Sequence, residues 1–108
     1  MHLTTETFSG VVVVHTPEEV GSEQAARLES YLTSLDHPRV VADLDTTESL
    51  DSACLEALLN AQEGLQALGG DLKIATTNTM NRKILEVTRL DQHLQVFDSV
   101  IDAVKSFQ

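Results

Sequence analysis

Tryptophan is missing from the chain altogether, and the other aromatics amount to one tyrosine and three phenylalanines. A core must therefore be filled by valine and leucine. The 108 residues suffice for one domain, residues 1–108, that buries roughly two-thirds of its extended surface. A single cysteine, Cys54, excludes an intrachain disulfide and reads with a cytoplasmic location. No apolar run approaches the roughly 18 residues of a membrane span. The opening "MHLTTETFSG" lacks the basic-then-apolar order of a secretion signal. Basic residues are scarce too, 7 Lys and Arg against 17 Asp and Glu, for a net charge of −10. Such a surface repels phosphate backbones and anionic lipid, so neither nucleic acid nor membrane insertion is expected.

The basic deficit is uneven. Residues 1–72 hold 13 acids against Arg27 and Arg39 alone, while residues 73–108 hold 4 acids against Lys73, Arg82, Lys83, Arg89 and Lys105. The acidity serves solubility, and it also suits a basic protein partner.

The punctuation along the chain is local, without repeats or low-complexity tracts. "GVVVVH", Gly10 to His15, is β-branched and too short for a helix, so a buried strand is predicted. A weaker strand around Leu3–Phe8 precedes it, joined through a tight "SG" turn. Thr16-Pro17-Glu18-Glu19 resembles a helix start but is interrupted at Gly21-Ser22. The helix is placed at Ser22–Leu35, where Ala25, Leu28, Tyr31, Leu32 and Leu35 form one stripe. His37-Pro38 ends it, and "RVVADL" reads as a second buried strand. After the polar loop "DTTES", Cys54, Leu58, Ala61, Leu65 and Leu68 recur at helical spacing, and Gly69-Gly70 closes that helix. "DLKIAT" is a third strand. "TNTMNRKILEVTRL" gives a helix with Met80, Ile84 and Val87 inward and Arg82 and Lys83 outward. "LQVF" is a short edge strand, and "DSVIDAVKSF" a closing helix capped by Asp98 or Ser99. Strands joined through helices run parallel with right-handed crossovers. The expectation is an α/β fold, a mixed sheet of four to five strands with about four α-helices.

Chemistry is sparse in this pattern. The four histidines, His2, His15, His37 and His93, have no ligand-like spacing to one another or to Cys54, so no metal is expected. Cys54 sits in a first helical turn but on the apolar stripe, which reads as packing rather than a nucleophile. There is no phosphate-binding glycine loop, since Gly69-Gly70 ends a helix rather than opening one. Asp43 and Asp45 read as solvating a loop. Nothing here indicates an enzyme, and no cofactor is expected. What remains is "ESLDSACLEALLNA", Glu48 to Ala61. Asp51 and Ser52 are both favoured N-cap types, so either could simply cap the helix. With Asp51 as cap, Ser52 would take the first helical position with its hydroxyl at the surface. A phosphoryl group there would meet free N–H groups and the positive helix end.

These segments in order resemble the STAS domains, and among them the bacterial anti-sigma-factor antagonists. That pattern runs strand, acidic loop, Asp-Ser-(Ser/Thr/Ala)-Gly-Leu-Gly, long helix, Gly-Gly, strand, basic helix, closing helix. "VVADLDTTESLDSACLEALLNAQEGLQALGGDLKIA" follows it, and "RKILEVTRLDQHLQVFDSVIDAV" is similar to the C-terminal third. The likeness covers about Val11 to Phe107. It implies a protein without catalysis of its own, whose motif serine, matching Ser52 after Asp51, is phosphorylated by a serine kinase that is also the anti-sigma factor. The unphosphorylated form would bind that kinase and the phosphorylated form release it. Cys54 and Glu56 stand where the family usually has glycines, as does Arg89 further on. The implied partner surface combines the Ser52 helix end, Asp51, Glu56, the acidic loop Asp45–Glu48, and Arg82 and Lys83 of the next helix. Two further readings stay open, a STAS scaffold or accessory subunit without a switch, and a sensor of a nucleotide or lipid. A weak homodimer is also left open.

Overall fold

The fold comes from a computed structural model and is described for residues 3–35, 37–48 and 50–108. Four valines in a row begin to explain it. Strand β2, Val11–His15, is buried on both faces, as is its neighbour β3, Arg39–Asp43. A strand covered on both sides needs apolar residues at consecutive positions, not alternate ones. Strand β1, Thr4–Phe8, pairs with β2 in antiparallel register, Phe8 opposite Val11. Ser9 and Gly10 between them both have positive φ, 52° and 81°. That is the two-residue turn whose twist matches a hairpin.

Strands β4, Asp71–Ala75, and β5, Gln95–Phe97, continue the sheet in parallel, and its order is β1-β2-β3-β4-β5. Helices α1, Ser22–Ser34, and α2, Ser52–Ala67, pack together on one face. They cover Val12, Val14, Val40, Ala42, Leu72 and Ile74, with Leu28 and Leu58 both fully buried. The other face carries Val11, Val13, Val41 and Ala75 under the short helix α4, Val100–Lys105. Ser99, one of the two expected caps, starts α4 by accepting from the Asp102 N–H at 3.1 Å. Lys73 is buried on that face too. Its ammonium donates to Ser106 Oγ at 2.7 Å and lies 4.1 Å from the Phe107 ring centroid, pinning the C-terminal end.

α2 stops where the glycines predict. Gly69 takes φ 80°, and its N–H and that of Gly70 return to the carbonyls of Gln66 and Leu65. A side chain at Gly70 would collide with the Pro38 carbonyl, which the Asp71 N–H reaches at 2.9 Å. That close approach sets β4 beside β3.

Helix α3, Thr79–Val87, departs from expectation. Met80 and Val87, predicted inward, are each 66% exposed, and Ile84 is half-buried. Asn81 and Leu85 point inward instead. The cause is polar. The Asn81 amide donates to the carbonyl of Thr47 at 2.8 Å, an acceptor that burial would otherwise leave unpaired. The apolar stripe therefore turns to solvent. α3 packs chiefly on the 3-10 turn Leu90–Gln92.

Candidate functional site

Three loops meet at the C-terminal ends of β2, β3 and β4, and their side chains bind one another's backbone. The Thr47 hydroxyl donates to the Pro17 carbonyl at 2.7 Å and contacts the Thr16 hydroxyl. The Glu48 N–H reaches the Glu18 carbonyl at 3.0 Å. From the other side, the Asp45 carboxylate accepts the N–H and hydroxyl of Thr77, and Asn81 holds Thr47 as above. The acidic loop Asp45–Glu48 is therefore clamped from both flanks.

That clamp leads straight into α2. Asp51 is its N-cap, with Oδ1 accepting from the Cys54 N–H at 2.9 Å, and its carbonyl takes the Leu55 N–H at 3.1 Å. The Asp51 side chain thus does the capping that either residue could have done. Ser52 holds the first helical position and is exposed. Among the described residues, no acceptor takes the N–H of Ser52 or of Ala53. Two donors and the positive end of a 16-residue helix stand beside a hydroxyl that bonds to none of the described residues.

The surroundings are acidic. Glu48 and Asp51 are exposed, and Glu56 emerges one turn along the same flank. Glu56 lies at the mouth of a shallow groove between α1 and α2, floored by Ala25, Ala53 and Ala57. Asn60 bridges the helices there by donating to Glu29 at 3.1 Å. Cys54 points the opposite way and is fully buried, its thiol pushed up to about 12 by burial and then by the charge of Asp51. It is packing, as its place on the stripe indicated, and is no nucleophile at neutral pH.

The other predicted partner residues are less unified. Lys83 is exposed, but Arg82 is half-buried and paired with Asp98 at 2.7 Å. It is tied toward the β5–α4 connection, and Asn81 links α3 to the clamped loop before α2. His2 and Ser49 lie outside the described residues.

Sequence reasoning missed one cluster. His15 Nδ1 lies 2.7 Å from Asp43 Oδ2, and its Nε2 lies 3.4 Å from Glu6 Oε2. Asp43 Oδ1 in turn accepts the Asp45 N–H at 3.0 Å, so Asp43 does more than solvate a loop. Burial of the ring lowers the His15 pKa, but the bonds to Asp43 and Glu6 outweigh it and leave the pKa raised. A signal for the pair existed. "VVVVH" and "RVVAD" have equal length, and laying them in register as parallel neighbours puts His15 beside Asp43.

With the geometry in place, comparison with known proteins is decisive. A family model for the STAS domain matches residues 2–103. The chain belongs to the STAS domain family. A protein of Thermotoga neapolitana, described as an anti-sigma factor antagonist homologue, is 24% identical over 70 residues. That match takes in 65% of this chain and 62% of the relative. The crystal structure of an anti-sigma factor antagonist from Mycobacterium paratuberculosis superposes with a TM-score of 0.85 at 25% identity, over 97% of this STAS chain and 92% of that one. The Bacillus cell fate determinant SpoIIAA in its phosphorylated form is similar at a TM-score of 0.74 and 12% identity, over 99% and 100% of the two chains. The last likeness is one of fold.

Proposed function

We propose that this STAS domain is a phosphorylation-controlled protein-binding regulator, with Ser52 as phosphoacceptor and a serine kinase that doubles as anti-sigma factor as its partner. One observation carries the reading. Asp51 caps α2, so the exposed Ser52 hydroxyl is spared from capping, and among the described residues no acceptor takes the N–H of Ser52 or of Ala53.

Phosphorylation adds a charge of about −1.5 to −2. The helix end accepts it locally, worth about 0.3–1 kcal/mol at an exposed site. The fold holds. The same charge falls beside Asp51, Glu48 and Glu56, so a partner docked on the bare hydroxyl meets bulk, repulsion and a phosphate to desolvate. Affinity falls while structure stays, which makes a switch without a moving part. Glu56, where the family pattern has glycine, stands at that docking surface and narrows which partners fit.

The test uses the protein with candidate serine kinases and ATP, followed by mass spectrometry. A single phosphate on Ser52 is expected. Thr47 is fully buried and closed to a kinase. Ser52→Ala should fold normally and keep binding in the presence of ATP. Ser52→Asp should lose at least about tenfold in affinity, near 1.4 kcal/mol. Phosphate on Thr46 or Ser49, or wild-type binding by Ser52→Asp, overturns the reading.

A further inference from the structure

The peptide unit between Thr47 and Glu48 is gripped at both ends by different parts of the fold. Its carbonyl accepts from the Asn81 side-chain amide at 2.8 Å, and its N–H donates to the Glu18 carbonyl at 3.0 Å. One grip comes from α3 and the other from the β2–α1 connection. Because a peptide unit is planar, turning it breaks both bonds together. Thr47 and Leu50 are buried on either side, and the Asp51 cap and Ser52 follow directly. The first turn of a helix has no internal acceptor for its own N–H groups. The Ser52 end of α2 therefore depends on its cap and on the chain that leads into it.

Asn81 is an unfavourable residue for its place unless that grip matters. It is fully buried in α3, and among the described residues no donor reaches its Oδ1. A buried acceptor left without a donor carries its desolvation penalty. The inward turn of Asn81 also leaves Met80 and Val87 in solvent. An apolar side chain would serve the core better, as Leu85 does one turn on. No apolar side chain, however, could hold the Thr47 carbonyl. Local rules broken in this way gather where function requires them.

We infer that Asn81 is a positioning residue for Ser52: by holding the Thr47–Glu48 peptide it fixes the chain entering α2, and so the direction in which the Ser52 hydroxyl is presented.

Asn81 acts at a distance from the chemistry, through the loop. Its kinetic consequence rests on Ser52 being the phosphoacceptor. Phosphoryl transfer needs the attacking and leaving oxygens in line, so it depends chiefly on positioning. A loop free to turn leaves Glu56 in place on α2, because the buried face of that helix still holds it. The docking surface is kept and the hydroxyl is misdirected. The loss then falls on kcat, with KM little changed.

Amide exchange and kinase kinetics test the two links in turn. In Asn81→Ala, the amides of Glu48 and Cys54 should exchange at least about tenfold faster, with that of Val41 in the sheet unchanged. With the serine kinase that modifies Ser52, the same variant should lose at least about tenfold in kcat and keep KM within about twofold. Asn81→Ser withdraws the same amide by a smaller change and should give the same pattern, should Asn81→Ala fail to fold. Leu85→Ala should lower the denaturant midpoint yet keep the wild-type kcat, which separates positioning from lost stability. Glu48 and Cys54 amides that stay protected in both Asn81 variants overturn the inference. So does a kcat loss in Leu85→Ala as large as in Asn81→Ala. If those amides open in Asn81→Ala but no kinase modifies Ser52, the positioning stands and the phosphoacceptor reading alone fails.

Discussion

His15 shows how much one side chain can join. It sits at the end of β2 and reaches outward to Glu6 on β1 and inward to Asp43 on β3, stapling three strands. Because its folded pKa is raised, the folded state binds its proton more tightly than the unfolded chain does. The stabilisation is fully present below the unfolded value near 6.5 and is lost as pH rises through the folded value. Urea midpoints of wild type and His15→Gln, measured from pH 5 to pH 8.5, should differ most at the acid end and converge at the alkaline end. A gap that widens with pH would mean that the neutral ring, not the imidazolium, holds the strands.

At the level of the elements, the end of α3 carries a visible cost. Thr88 caps the helix and Arg89 follows in the left-handed region at φ 62°. Glycine is the usual residue there, and a side chain in that conformation costs about 1–2 kcal/mol. Arg89→Gly should therefore stabilise the domain by about 1 kcal/mol, read as an upward shift in the denaturant midpoint with an unchanged slope. No shift would show that the Arg89 side chain supplies an equal compensating contact. The same helix shows where reading the sequence succeeds and fails. β2, β3 and α2 were legible because their burial is driven by apolar side chains at the right period, and both ends of α2 by Asp51 and Gly69. The exposed Ser52 followed from the same capping logic. α3 was misread because its inward position at Asn81 is chosen by a backbone acceptor on a distant loop, and hydrophobic periodicity holds no record of that. The His15–Asp43–Glu6 cluster needs strand register, and the clamp on Thr47 needs three loops side by side. Both are tertiary facts with only a faint local trace.

Across the whole molecule, charge and apolar surface are segregated. The Ser52 end, the acidic loop and the α1–α2 groove form one strongly negative region, and the β1–α4 side is apolar with mixed charge. A negative field of that extent speeds encounter with a basic partner and does little for the lifetime of the complex. On the proposed reading, Glu48→Lys should therefore slow association with the serine-kinase partner severalfold at low salt, with dissociation nearly unchanged. The difference should fade as ionic strength rises. Equal association rates at low salt would take the acidic loop out of the encounter.

The strand order also bears on how the chain reaches this state. Every strand lies beside the one before it in sequence, so no strand has to be inserted between two that are already paired. Each crossover needs only its own helix and the edge left by the previous step. A ribosome delivers these pieces in the same order, hairpin first and then one strand–helix unit after another. The growing chain can thus add to its sheet at one edge as it emerges.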